Sequence, residues 1–351
     1  MKLFLNNHIV KRGETLEEIA SLYKIDDIEL LRFYHHQNVP KNGNHIGHTV
    51  FEGQEIFIPD REDIEEIVSR RKKHFEDKQH QINSLILNST LLPDFNKIRQ
   101  SYDVKIIDEY EDMSANETEY EVSIQYLGQD EQRYIFRLDR KSILVNGEIP
   151  DLKVYQLAMK CSAALFPLEF CISPQGKIVD IHHYRKMVNN WKTIKHKLLQ
   201  KYEDQYSIRY IDIADFTIEN KESLIRHLRR DLFLQFYFSP YFKKYQQGKS
   251  ESIGYFINHE VEYKTQFEIN IEENIQITQS SECVDARNQE EILRYVEETS
   301  EIHDDHELLE SKITGNFYMD KEFKIIQNAD IRIETYFYNV KEITQVGIKS
   351  K

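Results

Sequence analysis

Apolar and polar positions change their spacing along this chain. Near its start, Leu16 and Ile19 recur at helical spacing, and a second short helical pattern follows over 28–34. Thr15 followed by Glu18 is a capping-box pattern for the first helix, and Asp26 or Asp27 is the candidate cap of the second. A strand pattern at 8–11 precedes these helices, and another at 54–58 follows them. The pattern therefore predicts a compact unit in which the elements follow in the order strand, helix, helix, strand.

A charged segment comes next. Residues 60–88 carry a broken apolar stripe at helical spacing, which predicts a long connector helix. It contains the basic run 70–73, which we interpret as a solvated helix face paired with nearby acidic residues. Residues 93–116 are polar and acidic and predict an exposed loop. The chain is thus expected to divide into 1–59, a connector over 60–116, and a second domain over 117–351.

Most of the second domain follows strand periodicity. Alternating apolar residues over 120–138 predict a hairpin, and a cleaner alternation runs over 261–271. Helical patterns interrupt the strands at 152–165, 184–202, 208–216 and 222–238, and the last three form an insertion at about 183–240. The predicted fold class is therefore α+β: a small βααβ domain, a charged connector helix, and a larger domain with an antiparallel sheet and a helical insertion.

An aromatic run over 233–242 stands out in that insertion. It allows two interpretations, a helix buried against the sheet or an exposed face that binds another protein. For the second interpretation, the candidate residues are Phe236, Tyr237, Tyr241 and Phe242.

Length and charge narrow the classes of function. The 351 residues correspond to about two domains. The net charge is −14, which disfavours nucleic acid and anionic membrane surfaces as partners. No apolar segment suits a cleaved signal peptide or a membrane-spanning helix. We therefore expect a cytoplasmic protein, or one that is exported by a route without a cleaved signal.

Candidate chemistry is sparse. The three cysteines, Cys161, Cys171 and Cys283, lack a metal-binding spacing and predict reduced, partly buried thiols. The pairs at 35–36 and 182–183 predict surface or packing histidines, and the run 303–306 has two histidines without a nearby third ligand. No hydrolase, metalloprotease or phosphate-loop motif occurs. The sequence thus predicts no enzyme, no metal site and no cofactor.

The first unit resembles the LysM domain family. The resemblance rests on the sequence from His8 to Leu16, then Ile19, Ala20 and Tyr23, then Asn38, and finally the closing segment 53–59. It covers about one seventh of the chain. Two features depart from the family pattern: Glu14 replaces the usual aspartate, and the loop over 39–49 is enlarged.

The resemblance implies a shallow groove between two loops that holds glycans containing N-acetylglucosamine. Carried onto this sequence, the groove would be formed by the loop at 13–16 and by the region after the second helix. An enlarged second loop could cover such a groove. The candidate residues for binding a glycan or a protein partner are Gly13, Glu14, Thr15, Leu16, Asn38, Val39 and Pro40.

The same resemblance suggests a functional setting. The chain resembles LysM-bearing proteins associated with phage-tail-like contractile injection machines, including type VI secretion. We therefore expect a non-enzymatic adaptor that bridges a spike or tip component and a second partner such as an effector. Two alternatives stay open: an effector cargo of that machine, and a peptidoglycan-binding protein.

Overall fold

The computed structural model describes residues 6–40, 43–47, 49–111, 113–256, 260–292, 307–338 and 340–351. It combines helices with a large antiparallel sheet and divides into two compact units. The boundary falls between Asn83 and Ser84, inside a long helix. We call residues 1–83 the small unit and residues 84–351 the large unit.

The small unit contains two strands and two short helices before the long one begins. In chain order they are β1 (Asn6–Ile9), α1 (Leu16–Leu22), α2 (Ile28–Asn38), β2 (Glu55–Ile58) and α3 (Arg61–Leu87). β1 and β2 pair antiparallel, with Asn6 opposite Ile58. One apolar core is shared by the helices and strands, and it includes Ile19, Leu31 and Ile56.

Local hydrogen bonds explain where the helices of the small unit begin. The Thr15 side chain accepts a hydrogen bond from the Glu18 N–H, and the Glu18 carboxylate accepts one from the Thr15 N–H. This reciprocal capping box satisfies backbone donors that the first turn of a helix leaves without partners. Asp27 caps α2 through the Glu29 N–H. The capping box at Thr15 confirms the prediction, and of the two candidates for the start of α2 the structure has Asp27.

The charged helix predicted over 60–88 is confirmed as α3. The basic run over 70–73 behaves as a paired helix face. Arg70 pairs with Glu66 one turn earlier, and Arg71 Nη1 lies 2.9 Å from the carboxylate of Asp27. Exposed pairs of this kind contribute little to stability, about 0–1 kcal/mol each.

Within the part of the large unit that the structure describes, eleven antiparallel strands form one sheet. In chain order they are β3 (Arg99–Tyr110), β4 (Asn116–Asp130), β5 (Arg133–Val145), β6 (Leu168–Ile172), β7 (Ile178–Ile181), β8 (Lys249–Phe256), β9 (Val261–Ile271), β10 (Ile275–Cys283), β11 (Glu310–Met319), β12 (Ile326–Phe337) and β13 (Val340–Ser350). Their spatial order is β7-β6-β5-β4-β3-β13-β12-β11-β10-β9-β8. Buried and exposed positions alternate along β9 and β11, so one face of the sheet is buried.

The exposed loop predicted over 93–116 is wrong. Most of that segment is β3, which lies in the middle of the sheet between β4 and β13. The prediction was based on the acidic residues of this segment. In the structure, Asp108 accepts a hydrogen bond from Thr344 of β13, and Glu109 accepts one from Gln345, so both carboxylates can lie on a strand. The large unit therefore begins near residue 84 rather than at 117.

The predicted helices of the large unit are confirmed, with one division. They are α4 (Lys153–Ala163), α5 (Tyr184–Lys201), α6 (Gln205–Glu219), α7 (Lys221–Arg229) and α8 (Leu232–Phe238). The pattern over 222–238 predicted one helix, but Asp231 caps a new helix through the Leu234 N–H and separates α8 from α7. Within the described residues, every helix is too short or too polar to cross a membrane.

The sheet curves around α8. Phe233 of α8 lies against Tyr102 of β3, Phe238 lies against Phe136 of β5, and the ring of Phe236 stacks on one from β8. These strands come from both halves of the sheet, so the helix fills its concave face. A helix that is apolar on all sides requires such complete burial.

This burial decides between the two interpretations of the aromatic run. Phe236, Tyr237 and Tyr241 are fully buried, and Phe242 is half-buried. The exposed protein-binding face proposed for these four residues is therefore wrong. Their role is to fill the core of the large unit.

Candidate functional site

The first loop of the predicted groove lies between β1 and α1. Gly13 is exposed and has a φ of +78°, a backbone conformation that favours glycine. The Glu14 carboxylate accepts hydrogen bonds from the Lys11 N–H at 2.9 Å and lies 2.8 Å from His8 Nε2. These contacts lower the pKa of Glu14, first through the backbone donor and then through the histidine.

The side chains of the other two residues of this loop also make contacts inside the small unit. The hydroxyl of Thr15 belongs to the capping box of α1. The side chain of Leu16 is buried in the core, so only its backbone is available to a ligand. Of the four predicted residues, Gly13 and Thr15 are exposed and Glu14 is half-buried.

The second loop of the predicted groove follows α2. Asn38 donates to the Tyr34 carbonyl at 2.9 Å, and Val39 ends the helix with its N–H on the His35 carbonyl. Asn38 and Val39 are half-buried and Pro40 is exposed. The available surface of this loop is therefore backbone and proline ring rather than polar side chains.

The histidine pair at 35–36 holds the described part of the enlarged loop against α2. His35 is buried, with Nε2 at 2.8 Å from the Asn44 carbonyl and Nδ1 accepting from the Phe57 N–H. Burial lowers its pKa. His36 Nε2 lies 3.1 Å from the backbone of Ile46. A packing role for this pair is confirmed.

The large unit contains a cavity that the sequence did not predict. Its volume is about 940 Å³, within the range of small-molecule sites in proteins. The lining comes from the β6–β7 turn, the end of α7, α8 with the segment after it, and residues 250–256 of β8. The inner face of β8 carries small residues, Ser250, Ser252 and Gly254, which leave this space between the strand and the helix.

Three lysines line one part of the cavity. They are Lys177 in the β6–β7 turn, and Lys243 and Lys244 after α8. Lys243 is half-buried; its Nζ donates to Ser252 Oγ at 3.3 Å and lies 5.1 Å from the centroid of the Phe267 ring. Burial lowers the pKa of Lys243, and the positive charge of Lys177 lowers it further.

The backbone that carries Lys243 is held in an unusual conformation. Phe242 has a φ of +60°, which is rare for an aromatic residue. Its N–H donates to the Leu91 carbonyl at 2.9 Å, and the Lys243 carbonyl accepts from the Leu91 N–H. The Phe242 ring lies against Gly176, where an added Cβ would meet it at 2.9 Å. The turn with Lys177 and the segment with Lys243 are thereby brought together.

Four acidic residues line the same cavity: Glu251, Glu260, Glu262 and Asp285. Glu251 pairs with Lys264 at 3.0 Å. Asp285 is buried and accepts two hydrogen bonds from the Arg287 guanidinium, at 2.9 and 2.6 Å, and one from the Glu262 N–H. These donors, Arg287 above all, lower the pKa of Asp285 to about 2. This group is a completed ion pair, unlike the lysines.

The histidines at 182–183 lie side by side, with ring centroids 3.9 Å apart. His183 precedes α5 with a φ of +54°. Ligand atoms of Glu169, His182 and His183 lie within 4.8 Å of one another. The Glu169 carboxylate is already bound by His183 at 2.8 Å and by Arg137 at 2.6 Å, so the group forms a salt-bridge network.

The remaining candidates add no reactive group. Cys161 and Cys171 are buried and Cys283 is half-buried, and none of them forms a disulfide. Burial raises the pKa of Cys161 to about 11, which disfavours the thiolate that a nucleophile requires. The prediction of partly buried thiols is confirmed. The histidines of the run 303–306 lie outside the described residues.

Comparison with known proteins gives no family. No family model matches the chain, and no curated protein matches it. A lipovitellin structure described for its lipid–protein interactions is 13% identical, with a TM-score of 0.40, over 72% of this chain and 25% of that chain. Rv2717c from M. tuberculosis is 6% identical, with a TM-score of 0.24, over 72% of this chain and 92% of that chain. Neither likeness supports a functional conclusion.

Proposed function

We propose that this protein is a non-enzymatic adaptor. The small unit would act as a LysM-type module that binds a spike or tip component of a contractile injection apparatus. The large unit would hold a second partner, such as an effector. The proposal rests on the motif that begins at His8 and ends at Pro59, together with the organisation of the small unit.

The observation that carries the proposal is the self-contained character of the small unit. It has its own apolar core, and β1, α1, α2 and β2 follow in the order that the motif implies. The loops at Gly13 and at Pro40 leave exposed backbone on this unit. A folded module with accessible loops is suited to binding rather than to catalysis.

The polar side chains of these loops favour a protein partner over a glycan. Sugars are recognised largely through hydrogen bonds from side-chain and backbone polar groups. Here the side chains of Glu14, Thr15 and Asn38 already have partners within the small unit. A protein partner could instead use the exposed backbone and the Pro40 ring.

The test uses the tagged full chain, purified from its native cells, with mass spectrometry of the proteins that accompany it. A charge-altered variant, Arg12→Glu with Pro40→Asp, changes two exposed residues at the loops without removing an internal hydrogen bond. We expect a spike, tip or effector protein in stoichiometric amount with the native chain. Capture of the spike or tip component should fall at least tenfold with the variant.

Three other results would contradict the adaptor. Equal capture by the native chain and the loop variant would remove the small unit from the interaction. Saturable binding of chitooligosaccharide at micromolar concentration, with no protein captured, would favour the peptidoglycan-binding alternative. Toxicity of the large unit on expression in bacteria would favour the effector alternative.

A further inference from the structure

The three lysines of the large-unit cavity lack acidic partners. Lys177, Lys243 and Lys244 all line the cavity, and none of them has a carboxylate within 4 Å among the residues that the structure describes. Acidic residues outnumber basic ones by 60 to 46 in this chain. A group of lysines without acidic partners is therefore unexpected on charge balance alone.

When no ligand is bound, the positive charge of half-buried Lys243 destabilises the folded protein. Its side chain is half-buried, and among the described residues it contacts the hydroxyl of Ser252 and the face of the Phe267 ring. A buried cation loses hydration that only a counter-charge can replace well. The neighbouring positive charge of Lys177 adds to this cost. An anion placed between the two lysines would offset both effects.

The rest of the lining indicates what the anion is attached to. Aromatic and aliphatic side chains contribute to the same cavity, among them Leu234, Phe238, Phe242 and Phe256. A site for a small inorganic ion would need only the polar groups. The lining also includes four carboxylates, of which Glu251 pairs with Lys264 and Asp285 with Arg287. A cavity of about 940 Å³ that combines these apolar side chains with lysines that have no carboxylate within 4 Å among the described residues suits a larger organic molecule.

We propose that the cavity binds an organic carboxylate with an apolar body. The carboxylate would lie against Lys177, Lys243 and Lys244, with the hydroxyl of Ser252 as a further donor. The apolar body would lie along Phe238 and the inner face of β8. This inference is independent of the adaptor function, because every residue it uses belongs to the large unit.

The test is isothermal titration of the full chain with decanoate below its micelle concentration. Decanol and decyltrimethylammonium serve as probes with the same chain length and a neutral or positive head group. We expect decanoate to bind with a Kd at least tenfold lower than that of decanol, and decyltrimethylammonium not to bind. Inorganic phosphate tests whether a free anion is sufficient.

Two variants separate the head group from the apolar body. Lys243→Met should weaken decanoate binding at least tenfold and leave decanol binding within twofold. Ser252→Leu should fill the space beside β8 and abolish binding of both. The matched control is Lys197→Met, which removes an exposed lysine of α5 that does not line the cavity. It should leave decanoate binding within twofold.

Folding of each variant is checked by the fluorescence of Trp191, which is buried in the large unit. Equal decanoate affinity in the native chain and in Lys243→Met would overturn the proposal. So would equal affinity for decanoate and decanol, or an absence of decanoate binding at millimolar concentration. Binding of phosphate without decanoate would overturn the assignment of an apolar body.

Discussion

Polar side chains in the loops of the small unit have hydrogen-bond partners within the protein, whereas the lysines in the cavity of the large unit have no carboxylate within 4 Å among the described residues. In the small unit, Glu14, Thr15 and Asn38 direct their side chains to neighbouring backbone and histidine groups. In the large unit, Lys243 reaches one hydroxyl and an aromatic ring, beside a second lysine. The first arrangement is complete within the protein, whereas the second is completed by an added anion.

This difference separates two modes of recognition. A surface whose side chains are already satisfied binds through shape and backbone, so its stability is independent of a ligand. A cavity with unmatched cations is less stable alone and gains stability when a ligand binds. Substitutions should therefore have opposite effects in the two places: loss of stability at satisfied groups, and loss of binding without loss of stability at Lys243.

The largest effect on stability is expected at a buried residue of α8, in the core of the large unit. Phe236→Ala should lower the free energy of unfolding of the large unit by about 3–5 kcal/mol, because it removes a fully buried ring that stacks on Phe256. Urea unfolding followed by Trp191 fluorescence measures the change. The matched variant is Phe216→Ala, which truncates an exposed ring of α6 and should cost less than about 0.5 kcal/mol. Similar losses for both would show that α8 does not support the sheet.

The next effect depends on pH and concerns Asp285. Its folded pKa of about 2 lies below the ordinary value of 3.8, so its contribution is present above pH 4 and is lost as the pH falls to about 2. That contribution is about 2 kcal/mol. Asp285→Asn should remove this part of the pH dependence when unfolding is measured between pH 2 and 6. The exposed Asp212→Asn serves as the control and should leave the profile unchanged.

A smaller effect is expected at the satisfied loop of the small unit. Thr15→Ala removes the capping hydrogen bond to the Glu18 N–H and should destabilise α1 by about 1 kcal/mol. Hydrogen–deuterium exchange of the peptide covering α1 measures the change as roughly fivefold faster exchange. Thr15→Ser keeps the hydroxyl and should retain most of the protection. Equal exchange in all three proteins would contradict the capping role.

The smallest effect is expected at Lys243. Lys243→Met should leave the free energy of unfolding within about 0.5 kcal/mol or raise it, because it removes a half-buried cation without an acidic partner. Lys195→Met is the contrasting variant: it breaks a contact of 2.6 Å with Asp215 and should cost about 1 kcal/mol. A larger loss for Lys243→Met than for Lys195→Met would show that this lysine has a stabilising partner after all.

Local signals carried most of what the sequence could predict. The capping box at Thr15 and the alternation along β9 depend on residues close together in the chain, and the structure has both. The division between α7 and α8 was missed because Asp231 was not recognised as a cap. β3 was missed because its polar residues are matched by β13, more than two hundred residues later in the chain.

The cavity could not have been predicted for a similar reason. Ser250, Ser252 and Gly254 are small residues on one face of a strand, which has no chemical meaning by itself. They form a site only because the turn with Lys177 and the segment after α8 are folded against β8. Periodicity identifies which face of a strand is inward, but it does not identify what lies opposite.

The position of β13 bears on how this protein is made. β13 pairs with β3 and β12 in the middle of the sheet, although β3 is the first strand of the large unit and β13 is its last. As the chain leaves the ribosome, β3 through β7 and β8 through β12 can pair before β13 has been synthesised. Until then, β3 and β12 each have an unpaired edge, which is the condition under which nascent chains aggregate or recruit chaperones. Residues 340–350 therefore close the two halves of the sheet only after both halves have been synthesised.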